Sequence, residues 1–141
     1  MNHPKLIEDE GFRRDLEVDE RLEVQSAMRP RRVTRGETLI EQGASAESLF
    51  IVNFGLFEVR DALDDRVFGE IVAGQFIGEI GFFADERRSA SVVAARDSEV
   101  LEINKAEFDA LAARVPKIQR AVTRSLAKRL VARFNQFERI L

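Results

Sequence analysis

The pattern of hydrophobic and polar positions changes period twice along the chain and divides it into three parts. Residues 1–30 contain few strand-forming residues and include the amphipathic segment VDERLEVQSAM, for which Asp19 is a candidate N-cap and Pro30 a stop signal. Residues 31–104 alternate short β-branched and aromatic runs with glycines, and residues 105–141 return to a helical period. We therefore predict an N-terminal helical segment, a β domain and a C-terminal helical part.

The central part predicts about eight short strands. They lie in the runs VTRGETLIEQG, SLFIVNFGLFEVR, RVFGEIVAGQFIGEI and ASVVAARDSEVLEI. Turns are expected at Gly36, Gly43, Gly55, Gly74 and the Asp64-Asp65 pair. Short strands without helices between them favour an antiparallel sheet over a parallel one. The prediction is a mainly β fold with flanking helices, an antiparallel eight-stranded β-roll similar to a jelly roll.

The C-terminal part predicts two helices. Asn104 is a candidate N-cap for the first, which would bury Phe108 and Leu111, and Pro116 suits the first residue of the second. The second helix has an apolar residue every three or four positions: Ile118, Val122, Leu126, Leu130, Phe134, Phe137 and Leu141. The last four follow a 4-3-4 spacing, which fits either a homodimer through this helix or packing on the domain's own β-roll.

Composition narrows the class of protein. A length of 141 residues suits one domain, and 45% apolar with 33% charged residues is typical of a soluble globular protein. The absence of cysteine excludes disulfides and thiolate sites, and His3 alone cannot supply the histidines of a cupin metal centre. The N-terminus MNHPKLIEDEGFRRD has an acidic patch where a signal peptide is apolar. We therefore expect a cytoplasmic, non-catalytic protein with no metal and no cofactor.

Charge is unevenly distributed around a net value of −3. Residues 8–23 carry eight acids against three arginines, whereas residues 114–139 carry eight lysines and arginines against Glu138 alone. A basic helix can contact nucleic acid or an acidic membrane surface, but more often it is simply a solvated face. Because the chain lacks a helix-turn-helix pattern, we expect no direct DNA binding by these residues.

The segment GEIGFFADERRSASVV, residues 78–93, has the composition of an anion site. Gly78 permits close backbone approach, and residues 79–83 can start a short helix whose N–H groups face a ligand. Arg88 offers two parallel donors to the oxygens of a phosphodiester. Glu79 would repel a phosphate but can accept a hydrogen bond from a sugar hydroxyl. Taken singly, Glu79 could pair with an arginine in a surface salt bridge, and Arg87 and Arg88 could simply be solvated. The combination at this spacing predicts a binding site.

This segment resembles the phosphate-binding cassette of cyclic-nucleotide-binding domains, the family of kinase regulatory subunits, cyclic-nucleotide-gated channels and catabolite-activator-type regulators. The family pattern is matched by Gly78, Glu79, Ile80, Arg88, Ser89, Ala90, Ser91 and Val92. The stretches RGETLIEQG, IVNFGLFEV and AGQFIGEI resemble other parts of the family's β-roll, so the resemblance covers residues 15–135. Arg87, where the family often has proline, is a departure.

The resemblance implies a role for each of these residues. Arg88 would bind the cyclic phosphate, helped by backbone amides near Gly78, Ile80, Ser89 and Ala90. Glu79 would accept from the ribose 2′-hydroxyl. Val92 would line the base end together with Ile80. A residue of the last helix would cap the base, and the candidates are Leu130, Val131 and Phe134.

The resemblance also implies a function. It predicts a non-catalytic sensor of cyclic AMP or cyclic GMP, with cyclic AMP favoured, that relays binding through its C-terminal helix to an output domain or a partner. Ser89 does not decide the base, because a hydroxyl after the arginine occurs in members that bond guanine and in bacterial cyclic-AMP receptors. The alternatives are the effector domain of a transcription regulator whose DNA-binding part is absent, and a docking module of the same fold without a ligand.

Overall fold

The computed structural model describes residues 16–140, apart from the side chains of residue 129, residues 132–134 and residues 136–140. Within this part the strands are β1 Arg29–Val33, β2 Thr38–Ile40, β3 Ser48–Phe54, β4 Leu56–Arg60, β5 Val67–Val72, β6 Phe76–Ile77, β7 Ser91–Ala94 and β8 Ser98–Asn104. The helices are α1 Val18–Ala27, α2 Glu79–Ala84, α3 Lys105–Arg114 and α4 Lys117–Ile140. None of these helices is long and apolar enough to cross a membrane.

The eight strands form two four-stranded sheets. One has the order β1-β8-β3-β6 and the other β2-β7-β4-β5, and all neighbouring strands are antiparallel. The sheets enclose an apolar cluster that includes Val52, Phe57, Ile77 and Val100. The predicted antiparallel eight-stranded β-roll is therefore confirmed.

Strand β3 lies between two apolar layers. Leu49 and Ile51 belong to the cluster beneath the helices, while Phe50 and Val52 belong to the cluster between the sheets. Successive side chains of a strand point to opposite faces, so a strand with apolar neighbours on both sides needs apolar residues at every position. This explains the nearly continuous apolar run SLFIVNF, which differs from the alternating pattern of a half-exposed strand.

The helices cover the outer face of the first sheet. The side chains buried there include Phe108, Leu111, Ile118 and Val122. Leu126 is half-buried, whereas Leu130 is 70% exposed. Among the described residues of the apolar stripe predicted for α4, burial therefore decreases from Ile118 and Val122 to Leu130. The side chains of Phe134 and Phe137, and Leu141 altogether, lie outside the described residues.

The N-terminal boundary differs from the prediction. Helix α1 begins after Glu17, whose N–H donates to the Glu20 carboxylate at 2.9 Å, so Asp19 lies in the first turn and is not the cap. The helix ends at Ala27, and Pro30 lies within β1. Strand β1 is at the edge of its sheet, where a proline can be placed without breaking a ladder bond. Of the predicted helical segment, residues 1–15 lie outside the described part.

The C-terminal boundaries agree closely with the prediction. Asn104 caps α3, and its side-chain oxygen accepts from the N–H of Glu107 at 2.8 Å. The carboxylate of Glu107 in turn accepts from the N–H of Asn104. Pro116 lies one residue before α4 and not in its first turn. A proline there leaves no helix donor unpaired, for the same reason that favours it at the first position.

Part of the charge asymmetry is explained by contacts between the two ends of the domain. Arg114 lies 2.9 Å from the Glu23 carboxylate, and Lys117 lies 3.4 Å from that of Glu20. The acidic α1 thus faces the basic residues at the α3–α4 junction. Such exposed pairs contribute about 0–1 kcal/mol each, so they orient α1 more than they stabilise it.

Candidate functional site

Gly78 is the residue on which the geometry of the cassette depends. Its φ of +81° is in the left-handed region, and helix α2 starts at the next residue. A Cβ added at this position would lie 2.3 Å from Nη1 of Arg88. A side chain is therefore excluded twice, by the backbone conformation and by the neighbouring guanidinium.

Arg88 is held in place from several directions. It is only 8% exposed, its Nη1 donates to the carbonyl of Gly78 at 2.7 Å and its Nη2 donates to the carbonyl of Ser48 at 2.6 Å. Its own backbone is bonded to the β2–β3 loop, through the carbonyl of Ala44 at 2.9 Å and the N–H of Gly43 at 2.8 Å. The guanidinium is thus oriented by the folded chain itself.

The electrostatic surroundings of Arg88 are those of a buried cation. Burial lowers the pKa of its guanidinium, and the carboxylates of Glu79 and Glu47 oppose this shift. Arginine nevertheless stays charged, because its ordinary pKa lies far above neutral pH. The two carbonyl acceptors are neutral and use two of five N–H donors, so the positive charge can still attract an anion. Glu79, which is 4% exposed, places an acceptor group beside it.

A pocket of about 460 Å³ opens next to these two residues. The cassette contributes Glu79, Arg88, Ser89, Ala90 and the backbone around Gly78, together with Ile80, which is 59% exposed. The volume lies in the range of small-molecule sites. The structure therefore brings the predicted phosphate and ribose residues to one cavity.

One wall of the pocket is a row of β-branched residues. The strand register places Ile40 opposite Val92 and Val92 opposite Val59, so the row crosses β2, β7 and β4, and Ile71 of β5 adds to it. Only Val92 was predicted from the sequence. The other three were missed because their meeting depends on strand pairing, which the local pattern does not determine.

Another wall is one face of α4. The pocket is lined there by Thr123, Leu126, Ala127 and Leu130, whose spacing places them on the same side of a helix. Sequence reasoning missed the first three, although this spacing was the signal that could have found them. Because the cavity lies beside α4, the helix both covers the core and borders the pocket.

Of the three candidates for capping the base, the structure places Leu130 at the pocket. Val131, the next residue, projects about 100° further around the helix, as a period of 3.6 requires; it is 58% exposed and is not among the residues that line the cavity. The side chain of Phe134 lies outside the described part.

The cassette helix is also connected to α3. The rings of Phe82 and Phe83 pack edge-on against that of Phe108, with centroids 5.7 and 5.2 Å away, and Lys105 forms an ion pair with Asp85. Helix α3 leads directly into α4. The described residues include no cluster of three or more histidine, aspartate or glutamate side chains that could hold a metal ion.

Comparison with known sequences agrees with this geometry. Residues 30–115, which contain α3 and all of the β-roll except Arg29, match the sequence profile of the cyclic nucleotide-binding domain. The chain belongs to that family. The part of this cyclic nucleotide-binding domain outside the match includes α4, which forms one wall of the pocket.

Individual relatives place the domain in different proteins. It is 35% identical over 113 residues to an NTE family protein of Mycobacterium tuberculosis, covering 79% of this chain and 19% of that protein. It is 34% identical over 103 residues to the Pycsar effector protein XpPycTIR of Xanthomonas perforans, covering 70% of this chain and 32% of the effector. The chain thus spans about a fifth to a third of these relatives.

The fold itself is shared with a solved regulator. The catabolite activator protein of Thermus thermophilus superposes with a TM-score of 0.81 at 25% identity, covering 94% of this chain and 63% of that one. The superposition extends beyond the region of the sequence match, so the architecture of the flanking helices is shared as well.

Proposed function

We propose that this chain is a non-catalytic regulatory domain that binds a cyclic nucleotide and relays its binding through α4. The observation that carries the proposal is the buried Arg88, held by two neutral carbonyls at the edge of a 460 Å³ pocket. These carbonyls use two of the five N–H donors of the guanidinium, so donors remain for a ligand. A singly charged cyclic phosphate offers two oxygens to one guanidinium.

Glu79 extends the proposal from a phosphate to a nucleotide. A carboxylate beside an anion site is unfavourable for the anion alone, but it accepts a hydrogen bond well from a hydroxyl. A 3′,5′-cyclic nucleotide carries both partners side by side: the cyclic phosphate can accept from Arg88, and the ribose 2′-hydroxyl can donate to Glu79. In this proposal Arg88 binds phosphate with amides near Gly78, Ile80, Ser89 and Ala90, and Glu79 binds ribose.

For the base we propose cyclic AMP in preference to cyclic GMP, with Val92 and Leu130 in contact with it. The preference follows the resemblance to catabolite-activator-type regulators, whose fold this chain shares; Ser89 is compatible with either base. Val92 and Leu130 both line the cavity. No cofactor is part of the proposal, and the ligand is the nucleotide itself.

The relay follows from the two-sided pocket. A ligand shifts an equilibrium between two conformations only by contacting them differently. The cavity is lined both by the cassette and by α4, so a bound nucleotide contacts an anchored element and a partly exposed one together. We propose that this moves α4 and that an output domain or partner responds.

The relatives support an output domain fused to this one in the same polypeptide, but they do not identify that domain. The chain covers 19% of the mycobacterial protein and 63% of the catabolite activator protein, so each contains further segments. A second candidate is therefore the effector domain of a transcription regulator whose DNA-binding part lies outside this sequence. A helix-turn-helix pattern encoded after Leu141 in the full gene would support that candidate.

The test is calorimetric titration of the 141-residue chain with cyclic AMP and cyclic GMP, with 5′-AMP as the acyclic control. We expect micromolar or tighter binding of a cyclic nucleotide, tighter for cyclic AMP, and much weaker binding of 5′-AMP. Folded, nucleotide-free protein that binds none of them would contradict the proposal and favour a docking module of the same fold.

A further inference from the structure

We propose that this domain reads the sugar and phosphate of its ligand strictly and the base loosely, so that it accepts cyclic nucleotides of all four common bases. The inference rests on the proposed function, because it concerns the same pocket. It predicts that the preference for cyclic AMP is modest. The reason is the distribution of polar groups over the pocket wall.

The acidic and basic residues of the described lining lie together. Arg88 and Glu79 both belong to the cassette segment and line the same cavity. Both are more than nine-tenths buried. These are the groups that meet phosphate and ribose, which every 3′,5′-cyclic nucleotide has in common. Strong recognition is therefore concentrated on the shared part of the ligand.

The rest of the described wall offers mainly apolar contact. From the sheets it consists of the β-branched row with Ile71 and Ile77, and from α4 it consists of Leu126, Ala127 and Leu130. Such side chains contact the face of any flat ring, purine or pyrimidine. They favour a larger ring through contact area and not through hydrogen-bonding pattern.

The other polar side chains of the described wall are two hydroxyls, Ser89 and Thr123. A hydroxyl can rotate to donate or to accept. It can therefore meet an amino group on one base and a carbonyl oxygen on another. The hydroxyl is paired whether it donates or accepts, so neither Ser89 nor Thr123 discriminates against a particular base.

The expected selectivity between bases follows from how strongly apolar contacts and hydrogen bonds can discriminate between ligands. When two ligands differ only in their apolar contacts with a site, their affinities differ by about 10- to 200-fold. A site built to hydrogen-bond a specific group discriminates against a ligand without that group by about 10⁴-fold or more. We therefore expect the dissociation constants for cyclic AMP, GMP, CMP and UMP to lie within about 200-fold of one another.

The experiment titrates the 141-residue chain with these four cyclic nucleotides and with 5′-AMP under one buffer condition. Four constants within about 200-fold, with 5′-AMP weaker than all four, would support the inference. One nucleotide binding more than about 1,000-fold tighter than the other three would overturn it while the proposed function stands. If no cyclic nucleotide binds, the proposed function fails and the inference fails with it.

Variants separate the two parts of the pocket. Glu79→Gln is expected to lower the affinity for all four nucleotides by a similar factor, because all four carry the ribose. Thr123→Val and Ser89→Ala are expected to change the ratio between any two nucleotides by less than about tenfold. A loss of 100-fold or more for one base alone, in either hydroxyl variant, would show that a hydroxyl reads the base and would overturn the inference.

Discussion

The two sides of the pocket are held in very different ways. On the cassette side Arg88 is 8% exposed and bonded to two carbonyls, and its backbone is tied to the β2–β3 loop. On the helix side Leu130 is 70% exposed. The first side is oriented before binding, so little ordering entropy is lost there. The second can gain burial when a ligand arrives, and differential contact of this kind is what a sensor requires.

The difference has a simple origin in packing. Helix α4 is fixed by its first half, where Ile118 and Val122 are 2% exposed, whereas Leu130, further along the same stripe, is 70% exposed. The cassette does not show this increase in exposure along its length, because α2 is packed through Phe82 against Phe108. Mutations that affect one side only should therefore have separable effects on affinity and on stability.

The largest effect is expected from Arg88→Ala. Removing one partner of a buried charged interaction costs about 2–5 kcal/mol, so cyclic-nucleotide affinity should fall by about 30- to 5,000-fold in calorimetric titration. Arg87→Ala is the matched control, because Arg87 is exposed and donates only to the carbonyl of Gly43 at 3.0 Å. Equal affinities of the two variants would contradict the assignment of the phosphate site.

An intermediate effect is expected from Gly78→Ala, with Gly36→Ala as its control. Both glycines have positive φ, +81° and +86°, but only Gly78 has an atom within 3 Å of the added Cβ. Each substitution should lower the free energy of unfolding by about 1–2 kcal/mol through backbone strain. Only Gly78→Ala should also displace Arg88, so only this variant should lose affinity by tenfold or more. Thermal unfolding and titration of both variants would check the two effects separately.

The smallest effect is expected from Leu130→Ala. Burial of part of a leucine side chain by a ligand contributes about 1 kcal/mol, so affinity should fall by about fivefold. The free energy of unfolding should change by less than about 0.5 kcal/mol, because the side chain is exposed in the domain alone. Val131→Ala, one residue further on, should change neither quantity. Identical affinities for the two variants would argue against contact between α4 and the ligand.

Much of the fold could be predicted because its determinants are local. Asn104 caps a helix through a residue three positions away, and glycine-broken runs of β-branched residues mark strands wherever they occur. Asp19 and Pro30 show the limit of this reasoning. Several acidic residues around position 19 could have capped α1, and a proline that breaks a helix is equally suited to an edge strand.

The site was predictable to the extent that it lies in one continuous segment. Gly78, Glu79 and Arg88 are ten residues apart or less, so their spacing alone indicated chemistry. Ile40 and Val59 join the pocket only through strand register, which depends on the whole sheet. Thr123 joins it through the docking of α4, which depends on packing in the core. Contacts between distant segments are not encoded in a local pattern, and these residues were accordingly missed.

The long α4 helix also has a mechanical consequence. From Val122, the last fully buried residue among the described side chains of its stripe, the helix continues to Ile140. At 1.5 Å per residue this is about 27 Å, and Leu130 lies about 12 Å along it. A rigid lever pivoting near Val122 would multiply a displacement at Leu130 a little more than twofold at its far end, by the ratio of these lengths. Drawing Leu130 inward by about 2 Å would swing the end of the helix by about 5 Å, which approaches one helical turn.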